Sequence, residues 1–164
     1  MKITNVLFSI TLLVSIWILT SCNNFKNKNM KQDMNYSIFE KGEQLSNDII
    51  TGKSWHKKLV DEDSVFTTAV GNEEFEAGSR NIWHSHPGGQ ILIVTSGVGY
   101  HQIKGEPIQI IRKGDIVKCP PNVIHWHGAS KDSSVSQIYI IPNTENGIVN
   151  WHEKVTDEEY NSVN

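Results

Sequence analysis

Two short segments of this 164-residue chain carry histidines at spacings suited to binding a metal ion. His84 and His86 are separated by one residue, so in a strand their side chains point to the same face. A Pro-Gly-Gly turn follows, and Gln90 then opens the next apolar alternation, close enough for its amide to converge on the two rings. His125 can approach from a facing strand. Three imidazoles and one amide oxygen form a ligand set for a divalent metal of the Mn, Fe, Co, Ni, Cu or Zn series.

Short apolar alternations, separated by turns rich in Gly, Pro and Asn, predict the strands that must hold these residues. They cover 66–70, 90–95, 99–103, 108–111, 115–119 and 135–141. Strands at this spacing favour an all-β sandwich or barrel. Thr156 and Glu159 form a capping-box pattern, which predicts one short C-terminal helix that docks through Tyr160.

The two segments resemble the two sequence motifs of the cupins. The first motif, G-x5-H-x-H-x3-E-x6-G, corresponds to Gly78, His84, His86, Gln90 and Gly97. The second, G-x5-P-x-G-x2-H, corresponds to Gly114, Pro120, Asn122 and His125. This resemblance implies a single-domain cupin, that is, a double-stranded β-helix or jelly-roll barrel. Gln90 replaces the usual glutamate, and Asn122 replaces a glycine, which is tolerable because Asn also adopts left-handed backbone conformations.

A narrower resemblance extends over residues 83–90, 125–129, 149–151 and 155–160. These segments are similar to small bacterial cupins associated with carboxymuconolactone-decarboxylase-type domains, a group that includes manganese-dependent hydroxynitrile lyases. The resemblance implies Mn(II) as the favoured metal, with Fe, Ni, Co or Zn as alternatives. It implies His127 as the catalytic base, and it implies these metal ligands: His84, His86, Gln90 and His125.

The chemistry of two positions agrees with that assignment. A neutral Gln90 in place of glutamate leaves more of the metal's positive charge available, which makes it a stronger Lewis acid. His127 faces the same cavity as His125, and a nearby cation would hold its imidazole in the neutral, base-competent form. The alternative is that His127 only lines the pocket. Trp83 and Trp126 flank ligands and are predicted to wall the site, with stacking on a substrate as the alternative.

Three other residues lie outside the predicted ligand set. Cys119 is predicted to be a small buried residue on a strand, with a reactive thiol as the alternative. His101 lies in a polar–apolar alternation and is predicted to be a surface strand residue. His56 lies outside both motifs and is given no role.

The N-terminus resembles a bacterial lipoprotein signal. Residues 1–21 hold a positive start and an apolar run, and a lipobox-like segment ends at Cys22, the predicted lipidation site. An uncleaved transmembrane anchor is the alternative, although the run is shorter than the roughly 20 residues of a spanning helix. Residues 22–35, rich in Asn and Lys, are predicted to be a flexible tether to a cupin domain at 36–164. We therefore expect a bacterial cell-envelope lipoprotein, periplasm-facing or on the surface, with the lipid as its one membrane attachment.

Charge and motifs limit the partners and the function. A formal net charge of −3 argues against nucleic-acid binding, so a small-molecule substrate is expected. Exposed strand edges favour a homodimer or a larger homo-oligomer.

The leading hypothesis is a lyase that uses Lewis-acid and general-base chemistry on a small oxygenated molecule, hydroxynitrile-lyase-like or decarboxylase-like. A metal-dependent dioxygenase and a non-catalytic small-ligand-binding protein are the alternatives. Gly71 and Glu73 lie where a lyase pocket would need apolar walls, so the substrate stays open.

Overall fold

A computed structural model describes residues 37–163, which form twelve strands and two short helical turns. The strands are β1 (Glu43–Gln44), β2 (Ile50–Thr51), β3 (Ser54–Val60), β4 (Thr68–Phe75), β5 (Arg80–Asn81), β6 (His84–Ser85), β7 (Gln90–Ile103), β8 (Gln109–Arg112), β9 (Ile116–Cys119), β10 (His125–Ala129), β11 (Val135–Pro142) and β12 (Asn150–Trp151). The helical turns are a 3-10 turn (Thr144–Asn146) and α1 (Asp157–Tyr160). All strand pairs are antiparallel, so the predicted all-β barrel with a short C-terminal helix is confirmed.

The long strand β7 joins two sheets. Its first part pairs with β9 and β11, and β11 continues through β4 and β3 to β1. Its second part pairs with β8 and β10, and β10 continues to β5, β6, β2 and β12. The predicted break near Gly97 is wrong, because the strand runs through it. Gly97 has φ 75°, and the register with β11 shifts between Ser136 and Gln137, a bulge that lets β7 bend from one sheet to the other.

The apolar core lies between the two sheets. Its buried members come from strands of both sheets: Ile50, Phe75, Leu92, Val94, Ile111, Val117, Cys119, Ala129 and Val135. Leu92 and Ile111 are fully buried, as expected for the inward side of alternating strands. Burying this surface is the main driving force that keeps the sheets face to face, and it fixes which side of each strand faces the cavity.

The C-terminal segment closes a second apolar cluster on the other face of β10. The Thr156 side chain accepts a hydrogen bond from the Glu159 backbone, and the Glu159 carboxylate accepts one from the Thr156 backbone, so the predicted capping box is confirmed. Tyr160 is buried, and its hydroxyl donates to the Ala129 carbonyl at 2.9 Å. The Arg80 guanidinium donates to the Val155 carbonyl at 3.1 Å. These contacts hold α1 against the barrel.

The predicted signal peptide, the lipidation site Cys22 and the tether lie outside the described residues. Within residues 37–163, no helix is long and apolar enough to cross a membrane.

Candidate metal centre

Three histidines converge inside the barrel, and a backbone carbonyl orients each of them. His84 lies on β6 directly opposite His125 on β10, and His86 follows β6. In each ring Nδ1 donates to a carbonyl oxygen: from His84 to Ile82 (2.9 Å), from His125 to Val123 (2.9 Å) and from His86 to Ile148 (2.6 Å). The proton of each neutral ring is therefore on Nδ1, and the lone pair of Nε2 is left for a metal. This arrangement is typical of metal-binding histidines.

The structure brings all four predicted ligands together. The ring centroid of His84 lies 4.3 Å from that of His125 and 5.1 Å from that of His86. Gln90, the first residue of β7, places Oε1 3.0 Å from Nε2 of His125. Because Nδ1 of His125 carries the proton, Nε2 of His125 and Oε1 of Gln90 both present lone pairs to each other. A cation bound to both atoms would turn this repulsive contact into a favourable one. Among residues 37–163, the buried Nε2 atom of His86 has no hydrogen-bond partner, and ligation would satisfy it.

Burial holds these rings neutral. It lowers the pKa of His125 to about 3 and the pKa of His84 well below its ordinary range, and neighbouring imidazoles lower both further. Burial lowers the pKa of His86 as well. Neutral imidazole is the form that binds a metal, so the site is prepared for a cation at neutral pH. The donor set of three imidazoles and one amide oxygen fits a divalent transition metal.

His127 completes the histidine group from β10. Its ring centroid lies 5.3 Å from that of His84, on the same face as His125. The amide nitrogen of Asn81 lies 3.0 Å from Nε2, and that of Gln137 lies 2.5 Å from Nδ1. Burial, followed by the charges of the nearby histidines, lowers its pKa well below the ordinary value. His127 therefore stands at the site as a neutral ring, and its role as a base stays a prediction.

A second cluster, which contains His101 and Cys119, lies beside the histidines of the candidate metal centre. His101 is 2% exposed, so the prediction of a surface position is wrong. It lies opposite His127 on the neighbouring strand and therefore shares its inward face. Its Nε2 lies 3.0 Å from Sγ of Cys119. Cys119 is buried as predicted, and burial raises its thiol pKa to about 12. The ligand atoms of His84, His125 and His127 lie within 4.8 Å of one another, and those of His101, Cys119 and His125 form a second such group.

The two tryptophans beside the ligands do not line the cavity. Trp83 and Trp126 pack edge to face, with ring centroids 6.5 Å apart, in the apolar cluster under Tyr160. The prediction that they wall the site is wrong because neighbouring residues of a strand point to opposite faces, and here the histidines point inward. A different aromatic residue, Trp151 on β12, lines the cavity and lies 5.3 Å from His84 between ring centroids.

The histidines open into a cavity of about 180 Å³. Its apolar wall consists of Leu45, Ile49, Ile141, Ile148, Val149 and Trp151. Its polar wall consists of His56, Glu73, Asn81, His84, His86, Gln90, His127 and Tyr139. A cavity of this size and lining fits a small organic molecule.

Sequence reasoning placed Glu73 at the pocket wall, where the structure has it, but missed three other polar residues that line the cavity: His56, Asn81 and Tyr139. Asn81 faces His127 because Arg80 pairs with Gly128 in the antiparallel β5–β10 pair, a register that the alternation of His84 and His86 does not reveal. His56, Glu73 and Tyr139 come from strands far apart in sequence. Their proximity depends on the register of β3, β4 and β11, which no local pattern reveals.

Fold and site together define an all-β barrel with a histidine-rich candidate metal centre, and comparison with known proteins gives the family. Residues 71–141 match the Cupin domain family. A cupin-like protein of Thermotoga maritima is 49% identical, with a TM-score of 0.76, over 78% of this chain and 98% of that protein. The chain belongs to the cupins.

Two further relatives carry names that refer to an activity. A protein of Granulicella tundricola named (R)-mandelonitrile lyase is 43% identical over 86 residues, which span 52% of this chain and 66% of that protein. The DMSP lyase DddQ of Ruegeria pomeroyi is 16% identical, with a TM-score of 0.56, over 77% of this chain and 64% of that protein. The second relative shows a shared fold alone.

Proposed function

We propose that this cupin is a metal-dependent lyase that uses Mn(II) and breaks a carbon–carbon bond in a small oxygenated molecule such as a cyanohydrin. One observation carries the proposal: three buried histidines are fixed through Nδ1, and the buried Nε2 atom of His86 has no partner in the part of the chain that the structure describes. The partial match to a protein named (R)-mandelonitrile lyase supports the choice of cyanohydrins as the first substrates to test.

Gln90 and the three histidines would hold the metal, which when bound polarises a substrate oxygen as a Lewis acid. Because Gln90 and the neutral imidazoles contribute no negative charge, the centre keeps its full positive charge for an oxygen that gains electron density in the transition state. Ile141, Ile148 and Trp151 form an apolar wall beside that oxygen; Ile141 is buried, whereas Ile148 and Trp151 are partly exposed and keep the site open to solvent.

His127 supplies the base. Its pKa is lowered by burial, so the ring is neutral at pH 7 and can accept a proton. With a cyanohydrin, Nε2 takes the hydroxyl proton, and the bond to the nitrile carbon breaks as the carbonyl forms. The imidazolium then returns the proton to the departing cyanide, so the products are an aldehyde or ketone and hydrogen cyanide.

Two amides orient the His127 ring. Asn81 accepts a hydrogen bond from the His127 backbone at 2.9 Å, and its amide nitrogen lies beside Nε2. Gln137 places its amide nitrogen at Nδ1, while its buried Oε1 has no hydrogen-bond partner among the described residues. A half-turn of this amide gives Nδ1–H an acceptor and satisfies Oε1. The lone pair of His127 then lies on Nε2, where it accepts a hydrogen bond from the Asn81 amide, and it must exchange that bond for the substrate proton.

The test is cyanide release from (R)-mandelonitrile by the Mn(II)-loaded protein. We expect His127→Ala to keep its metal and to lose at least about 100-fold in rate, the usual contribution of a general base. We expect His86→Ala to lose both metal and activity. His152→Ala is the matched control, because His152 is exposed and lies outside the cavity lining, and it should keep both.

Other results would contradict the proposal. Release at the uncatalysed rate by protein that holds Mn(II) would contradict the lyase activity. Undiminished release by His127→Ala would contradict the role of the base. Oxygen uptake by the iron-loaded protein would favour a dioxygenase instead. Tight binding of a small ligand with no turnover in either form would favour a binding protein.

A further inference from the structure

Three polar side chains that the proposed lyase chemistry does not use also line the cavity. His56 comes from β3, Glu73 from β4 and Tyr139 from β11, all in one sheet. Glu73 lies directly opposite His56 on one side and Gln137 on the other. Residues opposite one another on neighbouring strands project from the same face. This inward row therefore runs from His56 through Glu73 to Gln137, the side chain that contacts His127.

Glu73 is a carboxyl with little support from the protein. It is 7% exposed, and within the described part of the chain its one hydrogen-bond partner is the Ser54 hydroxyl at 3.4 Å. Burial raises its pKa to about 8, so it is a neutral carboxylic acid at pH 7. In that form it can donate one hydrogen bond and accept another. A polar group that is buried with weak partners costs stability, so a ligand that binds it would relieve that cost.

Tyr139 forms the second polar group of this wall. Its hydroxyl lies 2.5 Å from Nε2 of His56, and burial lowers the pKa of that imidazole. The neutral Nε2 of His56 accepts a hydrogen bond from the phenol hydroxyl. The phenol oxygen therefore keeps its lone pairs and can accept a hydrogen bond from another group. Tyr139 lies opposite Gly71, and a Cβ at Gly71 would collide with the hydroxyl. The glycine therefore makes room for the phenol at this place.

Glu73 and Tyr139 are close enough to bind one group together. Tyr139 lies opposite Gly71, so Glu73, two residues further along β4, is its diagonal neighbour on the inward face. Diagonal neighbours are within reach of long side chains. One hydroxyl can accept a hydrogen bond from the Glu73 carboxylic acid and donate one to the Tyr139 oxygen. An unsubstituted aryl or alkyl group can make neither bond and would leave the Glu73 acid proton and the lone pairs of the Tyr139 oxygen unused.

We propose that the substrate of this site is a small oxo or hydroxy compound with a second hydroxyl group, which Glu73 and Tyr139 hold while the first oxygen lies at the histidines. The cavity volume of about 180 Å³ agrees with a small organic molecule. The inference rests on the proposed function for the position of the first oxygen. It goes beyond the proposed function because it names the chemical group at the other end of the substrate.

Two nearly isosteric ketones test the inference by binding to the Mn(II)-loaded protein: 4-hydroxy-2-butanone and 2-pentanone. Relaxation of the ligand protons by Mn(II) reports affinity without turnover. We expect the hydroxyketone to bind about tenfold more tightly, a factor that two net hydrogen bonds can supply. Glu73→Leu should abolish this preference while 2-pentanone still binds. Tyr139→Phe should weaken the preference. Glu74→Leu is the matched control, because the neighbouring residue of the strand points to the opposite face.

Equal affinity of the wild type for the two ketones would overturn the inference. So would a preference that persists in Glu73→Leu, since it would then come from chelation of the metal. Glu73→Gln, which keeps a hydrogen-bonding group of the same size, should retain part of the preference and serves if the leucine variant folds poorly. The readout is binding, so a protein that fails to cleave mandelonitrile would contradict the proposed lyase and leave this result intact.

Discussion

Replacing Glu73 by glutamine should remove a large part of the pH dependence of stability between pH 5 and pH 8. Burial raises the pKa of this carboxyl from 4.5 to about 8. The folded protein therefore holds the Glu73 proton in a pH range where the unfolded chain has released it. Stability is accordingly highest below the unfolded pKa and falls as the pH rises towards the folded pKa.

The magnitude follows from the two pKa values. Each pKa unit corresponds to about 1.4 kcal/mol, so Glu73 should lower the free energy of unfolding by about 3 kcal/mol between pH 5 and pH 8. That loss is a substantial fraction of the roughly 5–15 kcal/mol by which domains are stable. Glutamine has a similar size and does not titrate, so Glu73→Gln should be the more stable protein at pH 8.

Urea unfolding at pH 5, 6, 7 and 8 measures the effect. Histidine titration is common to wild type and variant, so the difference between their curves isolates Glu73. Glu76→Gln is the matched control, because Glu76 is an exposed carboxyl just after β4. Its curve should run parallel to that of the wild type. Parallel curves for wild type and Glu73→Gln would refute the reasoning, since they would show that Glu73 titrates alike in the folded and unfolded chains.

Three further predictions concern other parts of the molecule. Cys119 should resist alkylation by iodoacetamide in the native protein at pH 8, because burial raises its thiol pKa to about 12, and it should react after unfolding. Rapid labelling of the native protein, detected by peptide mass spectrometry, would contradict this prediction. Tyr160→Phe should destabilise the protein by about 1–3 kcal/mol in urea unfolding, because it leaves the buried Ala129 carbonyl without its donor; an unchanged midpoint would count against that bond. Gln90→Glu should keep its metal and release cyanide from mandelonitrile at least about tenfold more slowly, because the added charge weakens the Lewis acid; an unchanged rate would show that the neutral amide is not needed.

The inward convergence of the predicted ligands could be derived from sequence because it depends on local alternation. His84 and His86 share a face, and so do His125 and His127, wherever the two strands lie. The same alternation requires Trp126 to point away from the cavity. The prediction for the tryptophans failed because it gave more weight to their position beside the ligands than to the strand period.

The polar wall opposite the histidines could not be derived in this way. His56 and Tyr139 are 83 residues apart and meet through the pairing of three strands. A shift of one residue in any of these pairings would turn the side chains to the other face. His101 was misplaced for a related reason. Its alternation fitted a half-exposed strand, but β10 and Cys119 cover its inward side.

The metal content of the purified protein, measured by elemental mass spectrometry, tests the central claim most directly. After reconstitution with Mn(II), we predict about one ion per chain in the wild type and in Cys119→Ser, and almost none in His86→Ala. Cys119→Ser distinguishes the two candidate groups, because Cys119 belongs to the His101 cluster and His86 to the proposed centre. A wild type that binds no ion would contradict the account, and so would an ion retained in His86→Ala and lost in Cys119→Ser.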